Sequence, residues 1–155
     1  MTIQAPMIPV RPDSKDEDWI PNSMEFVQQA YRALGKERVN AIALGNEPDY
    51  YSYGVEQYVD RALKIENRTI EQLGLEGEDR RIFELGDIGW TVIKQRDGDG
   101  EDFGLRKVFQ NELNANGYGK YAAQHYYQAD EGGKYDSQAL QGMYHICFKL
   151  TFWRI

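Results

Sequence analysis

Apolar positions fall into two patterns that alternate along the chain. Short apolar runs without strict alternation predict strands covered on both faces, and they lie at residues 39–45, 81–86 and 120–127. Longer stretches with apolar residues at helical spacing predict amphipathic helices, and they lie at residues 22–35, 54–75 and 103–113. Strands that alternate with helices indicate βαβ units, so the fold class is α/β with parallel strands.

The same pattern predicts the organisation of the chain. Four of the five prolines fall in residues 1–21, which we expect to be an extended N-terminal segment outside the core. Residues 22–145 hold about three βα units, as a small open sheet or as part of a barrel, because a closed eight-stranded barrel needs roughly 250 residues. Residues 146–155 are apolar and aromatic, and they form either a last strand or a tail out of register with the fold.

Charge and composition argue against several classes of binding partner. The net charge is -7 and basic residues do not cluster, which argues against a nucleic-acid partner. No apolar run approaches the roughly 20 residues of a membrane span, so no membrane partner is expected. The start of the chain lacks the pattern of a signal peptide. Cys147 is the single cysteine, which excludes an internal disulfide.

The strongest chemical signal is Asn46-Glu47-Pro48, which directly follows the first apolar run. Functional side chains of parallel α/β folds gather at the carboxyl ends of strands. The apolar approach to Glu47 favours a raised pKa, as a general acid requires near neutral pH. Asn46 offers an amide to a sugar hydroxyl, and Pro48 fixes the turn. The alternative is a strand-to-loop turn with a solvated glutamate, in an unrelated small α/β domain.

Further candidates follow each predicted strand. Tyr50, Tyr51 and Tyr53 offer flat apolar faces and hydroxyls suited to sugar binding, although packing within the loop is the alternative. Glu84 is a possible second carboxylate, and Asp87 follows it. His125 and Tyr127 share one face of the third predicted strand and are placed to orient a catalytic carboxylate. A structural histidine is the alternative there. No metal or other cofactor is expected.

Taken together, these segments resemble glycoside hydrolase family 79, the fungal β-glucuronidase and heparanase-like members of the retaining (β/α)8 clan. The resemblance covers residues 19–145. It is carried by LGNEPDYY, YVDRALKIENRTI, FELGDIGW, AAQHYYQ and LQGMYH. The resemblance implies a partial (β/α)8 TIM barrel whose three strands correspond to the fourth, fifth and sixth of eight. It also implies an extracellular protein with a carbohydrate substrate.

Residue by residue, the resemblance implies that Glu47 is the general acid/base and Asn46 contacts the sugar beside the scissile bond. His125 and Tyr127 match positions facing the nucleophile, which lies on the seventh strand in this clan. Nothing after Tyr127 resembles that strand. Retaining hydrolysis needs two carboxyl groups, so we expect this chain alone to have little or no hydrolytic activity. The alternative is a non-catalytic carbohydrate-binding or interaction domain derived from the same barrel.

Overall fold

The computed structural model describes residues 1–8, 14–50, 54–89, 103–124 and 147–148. Within these ranges strands and helices alternate, as β1 (Thr2–Ala5), α1 (Asp16–Leu34), β2 (Ala41–Leu44), α2 (Val55–Leu73), β3 (Phe83–Ile88), α3 (Leu105–Gln110), β4 (Gly119–Gln124) and β5 (Cys147–Phe148). Single 3-10 turns at Lys36–Arg38, Pro48–Tyr50 and Gly77–Arg80 join some of them.

One sheet contains all of these strands in the order of the chain. β1, β2, β3 and β4 are parallel, whereas β5 pairs antiparallel with β4. Helix α1 contacts β1 and α2, and α2 contacts α3. Helices that touch one another cannot lie on opposite faces of the sheet, so the three form one layer. The α/β class with parallel strands is therefore confirmed.

The core lies between this helix layer and the sheet. Ile3, Ile42 and Phe83 stand side by side on β1, β2 and β3, and all three are buried. Helix α2 contributes the largest stripe, with Tyr58, Val59, Ala62 and Ile65 recurring at helical spacing. Gly74 ends α2 in the left-handed conformation, where a residue without a Cβ has no steric cost.

The N-terminal segment differs from the prediction. Residues 2–5 form a strand and Ile3 and Ala5 join the core, although an extended segment outside the core was expected. The strand is only four residues long and alternates exposed with buried positions, a weak signal beside so many prolines. Helix α1 likewise begins at Asp16, six residues before the expected start. Burial of Trp19 and Ile20 holds this first part, and Pro21 is accommodated at an exposed position.

The other helices and strands agree more closely with the ranges predicted from the sequence. α2 matches its expected range, while β3 extends to Ile88, two residues beyond the predicted strand. The structure describes two residues of the predicted tail, Cys147 and Phe148, as the antiparallel strand at the β4 edge. This agrees with the last-strand alternative. The remaining tail lies outside the described residues.

Candidate functional site

The candidate site lies where β2 and β3 end, at the carboxyl edge of the parallel sheet. β2 stops at Leu44, and Gly45 turns the chain with a φ of 88°. Glu47 follows with a φ of 49°, and Asp87 on the neighbouring strand has a φ of 46°. Residues other than glycine rarely adopt positive φ, and such residues are concentrated at functional sites. Two acidic residues on adjacent strand ends share this conformation.

A bulge in β3 explains the conformation of Asp87. Gly86 pairs with Ala123 and Ile88 pairs with Gln124, so Asp87 is the extra residue of the ladder. Its carbonyl oxygen accepts a hydrogen bond from the backbone nitrogen of Glu47 at 2.9 Å. The bulge therefore ties the position of Glu47 to the end of β3.

A second bond crosses between the strand ends in the opposite direction. The backbone nitrogen of Gly89 donates to the Oδ1 atom of Asp49 at 2.7 Å. Asp49 lies in the 3-10 turn Pro48–Tyr50, and Pro48 at the start of that turn is buried. The segment around Glu47 is thus fixed on both sides, by Asp87 at the end of β3 and by Gly89 directly after it.

The side chain of Tyr58 in α2 contacts the ends of both β2 and β3. Its hydroxyl donates to the carbonyl oxygen of Leu44 at 3.0 Å, and the carbonyl oxygen of Gly86 lies 3.5 Å away. The side chain is fully buried, and its ring centroid lies 5.6 Å from that of Phe103. The helical spacing predicts that Tyr58 is buried in α2. The contact of its hydroxyl with two strands gives no signal in the sequence.

Exposure differs among the polar side chains at this edge. Asn46 is exposed, Glu47 and Asp49 are half-buried, and Asp87 is 8% exposed. Glu47 and Asn46 can therefore meet a solute, while Asp87 belongs mostly to the interior. The raised pKa of Glu47 stays a prediction.

The remaining predicted site residues separate into two groups. Glu84 lies in the middle of β3, paired with Ala43 and Tyr121, rather than at the strand end. Tyr50 is placed by its backbone in the 3-10 turn next to Glu47. The side chain of Tyr50, and the whole of Tyr51, Tyr53, His125 and Tyr127, lie outside the described residues.

The described ranges contain neither a candidate metal site nor a candidate membrane span. No group of three or more histidine, cysteine, aspartate or glutamate side chains there is arranged to hold a metal ion. None of the described helices combines the length and apolar character that crossing a membrane requires.

Comparison with known proteins adds no family to this picture. No protein-family model, no curated protein and no solved structure matches the chain. The resemblance to glycoside hydrolase family 79 therefore rests on sequence segments alone, and the structural feature that bears on function is the carboxyl edge of the sheet.

Proposed function

We propose that this chain carries the acid/base half of a retaining glycosidase site and binds glycosides at the carboxyl edge of its sheet. The observation that carries the proposal is Glu47, a half-buried carboxyl group held three residues beyond a buried parallel strand. Its backbone is fixed to the neighbouring strand end through Asp87. A fixed carboxyl group beside an exposed amide, Asn46, suits contact with a sugar hydroxyl and a glycosidic oxygen.

The topology supports a partial barrel as the finer description of the fold. Parallel strands follow one another in chain order, and the described helices form one layer. A (β/α)8 barrel has the same arrangement, whereas a doubly wound sheet has helices on both faces. In that comparison β2, β3 and β4 take the places of the fourth to sixth strands, and β1 takes the place of the third.

Within this proposal Glu47 performs two proton transfers. As the neutral acid it protonates the leaving glycosidic oxygen, and as the carboxylate it later removes a proton from the attacking water. Retention requires a second carboxylate about 5–5.5 Å from the first, which attacks the anomeric carbon. The family's nucleophile has no match in this sequence, so we expect glycoside binding to exceed turnover.

One observation favours the non-catalytic alternative. β4 is bordered by the antiparallel β5, at the edge where a barrel would place its next parallel strand. The nucleophile of the clan lies on the next strand beyond β4 in that direction, which is the place that β5 occupies. A carbohydrate-binding domain without hydrolysis is therefore the second candidate function. The expected extracellular location comes from the resemblance alone.

The experiment compares binding and turnover of phenyl β-D-glucuronide by the wild-type chain and by Glu47→Gln. Glu37→Gln is the matched control, since Glu37 is exposed in the 3-10 turn before β2. We expect saturable binding that is weakened in Glu47→Gln alone, because Glu47 contacts the glycosidic oxygen, and any weak release of phenol is lost in the same variant. Binding without turnover that is unchanged in Glu47→Gln would favour the non-catalytic domain. The absence of both binding and turnover would contradict the proposal.

A further inference from the structure

Helix α2 buries one carboxyl group that the candidate site does not use. Glu66 is 1% exposed, and it lies two turns after Tyr58 in the second half of α2. Its Oε2 atom accepts a hydrogen bond from the Nδ2 atom of Asn116 at 3.3 Å. Its Oε1 atom is buried and has no hydrogen-bond partner in the described structure.

A second polar atom of α2 is buried and has no hydrogen-bond partner in the part of the chain that the structure describes. Thr69 stands three residues further along the same face of α2 and is 2% exposed. Its Oγ1 atom has no hydrogen-bond partner within the described ranges. A carboxylate in such surroundings loses its hydration and gains only one neutral donor, whereas the uncharged acid loses far less.

Among the described residues, no neighbouring charge compensates a carboxylate at this position. Burial raises the pKa of Glu66 to about 8, and the hydrogen bond from Asn116 opposes that shift. The buried Arg61 of α2 pairs with Asp16 of α1 instead. The other charged side chains of α1, of α3 and of residues 111–117 are exposed to solvent, namely Glu17, Asp18, Glu25, Arg32, Arg106, Lys107 and Glu112.

We propose that Glu66 is a proton-dependent latch. The neutral acid stays buried between α2 and residues 111–117, whereas the ionised carboxylate is driven toward water and so loosens this side of the fold, because the cost of burying the charge exceeds the gain from the hydrogen bond with Asn116. Residues 111–117 lead directly into β4. Leu113 there is fully buried, and the Oδ1 atom of Asn114 accepts from the backbone nitrogen of Gly119 at 3.0 Å. Loosening the contact between Glu66 and Asn116 therefore reaches the start of β4. The latch makes the fold more stable in mildly acidic than in alkaline solution.

The direction of the pH dependence of stability follows from proton linkage. The folded pKa of Glu66 lies above its ordinary value of 4.5, so the folded state binds more protons between the two values. The stabilisation is complete below about 4.5 and is lost as the pH rises through about 8. Each pH unit in that interval multiplies the unfolding constant by up to ten, so the whole effect is on the order of a thousand-fold.

The test measures urea unfolding of the wild-type chain, Glu66→Gln and Glu71→Gln across this pH interval. Glu71→Gln is the matched control because Glu71 is exposed on the same helix. In the wild type and the control, we expect the unfolding constant to rise on the order of a thousand-fold across this interval. We expect Glu66→Gln to lack this rise. The same pH dependence in all three proteins would overturn the proposal.

A second measurement does not depend on a variant that folds. Carbon-13 labelling of glutamate side chains reports the ionisation of Glu66 directly in the wild-type chain. We expect one carboxyl resonance to titrate near pH 8 together with the amide signals of residues 111–117. Titration of every glutamate carboxyl near its ordinary value would overturn the latch. Neither measurement involves a glycoside, so the latch and the proposed function succeed or fail separately.

Discussion

Replacing Tyr58 by phenylalanine removes one oxygen atom from the contact that joins the two strand ends. The ring stays, so its packing against Phe103, at a centroid distance of 5.6 Å, is preserved. What is lost is the hydrogen bond to the carbonyl oxygen of Leu44 at 3.0 Å and the nearby polar contact with Gly86. Because Tyr58 is fully buried, water does not replace the lost donor.

The expected cost follows from the burial of the acceptors. A typical hydrogen bond contributes about 1 kcal/mol net, and leaving a buried acceptor unsatisfied costs about 1–3 kcal/mol. We therefore expect Tyr58→Phe to lower the free energy of unfolding by roughly 2 kcal/mol. For a chain of this size each kcal/mol corresponds to about 2–4 °C in Tm, so the melting temperature falls by roughly 4–8 °C.

The assay is urea unfolding followed by circular dichroism, together with amide hydrogen exchange. Tyr31→Phe is the matched control, because Tyr31 is a buried tyrosine of α1 whose hydroxyl makes no hydrogen bond within the described residues. We expect faster exchange at the amides of Glu47 and Gly89 in Tyr58→Phe only. Equal stability of the two variants, with unchanged exchange at both amides, would refute the inference that Tyr58 fixes the strand ends.

Three further predictions test other contacts. Gly86→Ala places a Cβ 2.6 Å from the Cδ1 atom of Leu105 at a φ of 93°, so we expect a loss of roughly 2–4 kcal/mol in urea unfolding. Asp16→Asn leaves the buried Arg61 without its carboxylate, at 2.7 Å in the wild type, and we expect about 1–3 kcal/mol of destabilisation at neutral pH. Arg61 lowers the pKa of Asp16, so the difference from wild type disappears in acid, as the pH falls through that pKa. Thr69→Val removes a buried hydroxyl that has no hydrogen-bond partner among the described residues. We expect the free energy of unfolding to rise by up to about 1 kcal/mol, with a higher melting temperature. A lower melting temperature for the valine variant would contradict this account of Thr69.

Much of the fold could be predicted because its elements carry strong local patterns. The apolar run before Asn46 and the stripe of α2 each specify their element, and their alternation specifies the parallel sheet. β1 could not be predicted, since four alternating residues beside prolines resemble a loop. Its strand character comes from pairing with β2, as Ile3 meets Ile42 and Ala5 meets Leu44. Those partners lie almost forty residues away.

The candidate site could be predicted only in part for a similar reason. The position of Glu47 after a buried strand is local and follows from the sequence. The bulge at Asp87, the hydroxyl of Tyr58 between two strands, and the bond from Gly89 to Asp49 depend on elements brought together by the sheet. The burial of Glu66 likewise depends on tertiary structure. A glutamate in the middle of an amphipathic helix is ordinarily exposed, whereas tertiary packing that includes the contact with Asn116 buries this one.

The most direct test of the account is to locate a bound glycoside on the sheet. Phenyl β-D-glucuronide is titrated into the isotopically labelled wild-type chain, and amide chemical shifts are followed. The account predicts saturable shifts at Asn46, Glu47 and Gly89 at the carboxyl edge. It predicts none at Lys36, Asp79 and Lys120, which border a groove at the opposite edge. Shifts confined to the opposite edge, or no saturable shifts at all, would contradict the claim that Glu47 belongs to a carbohydrate site.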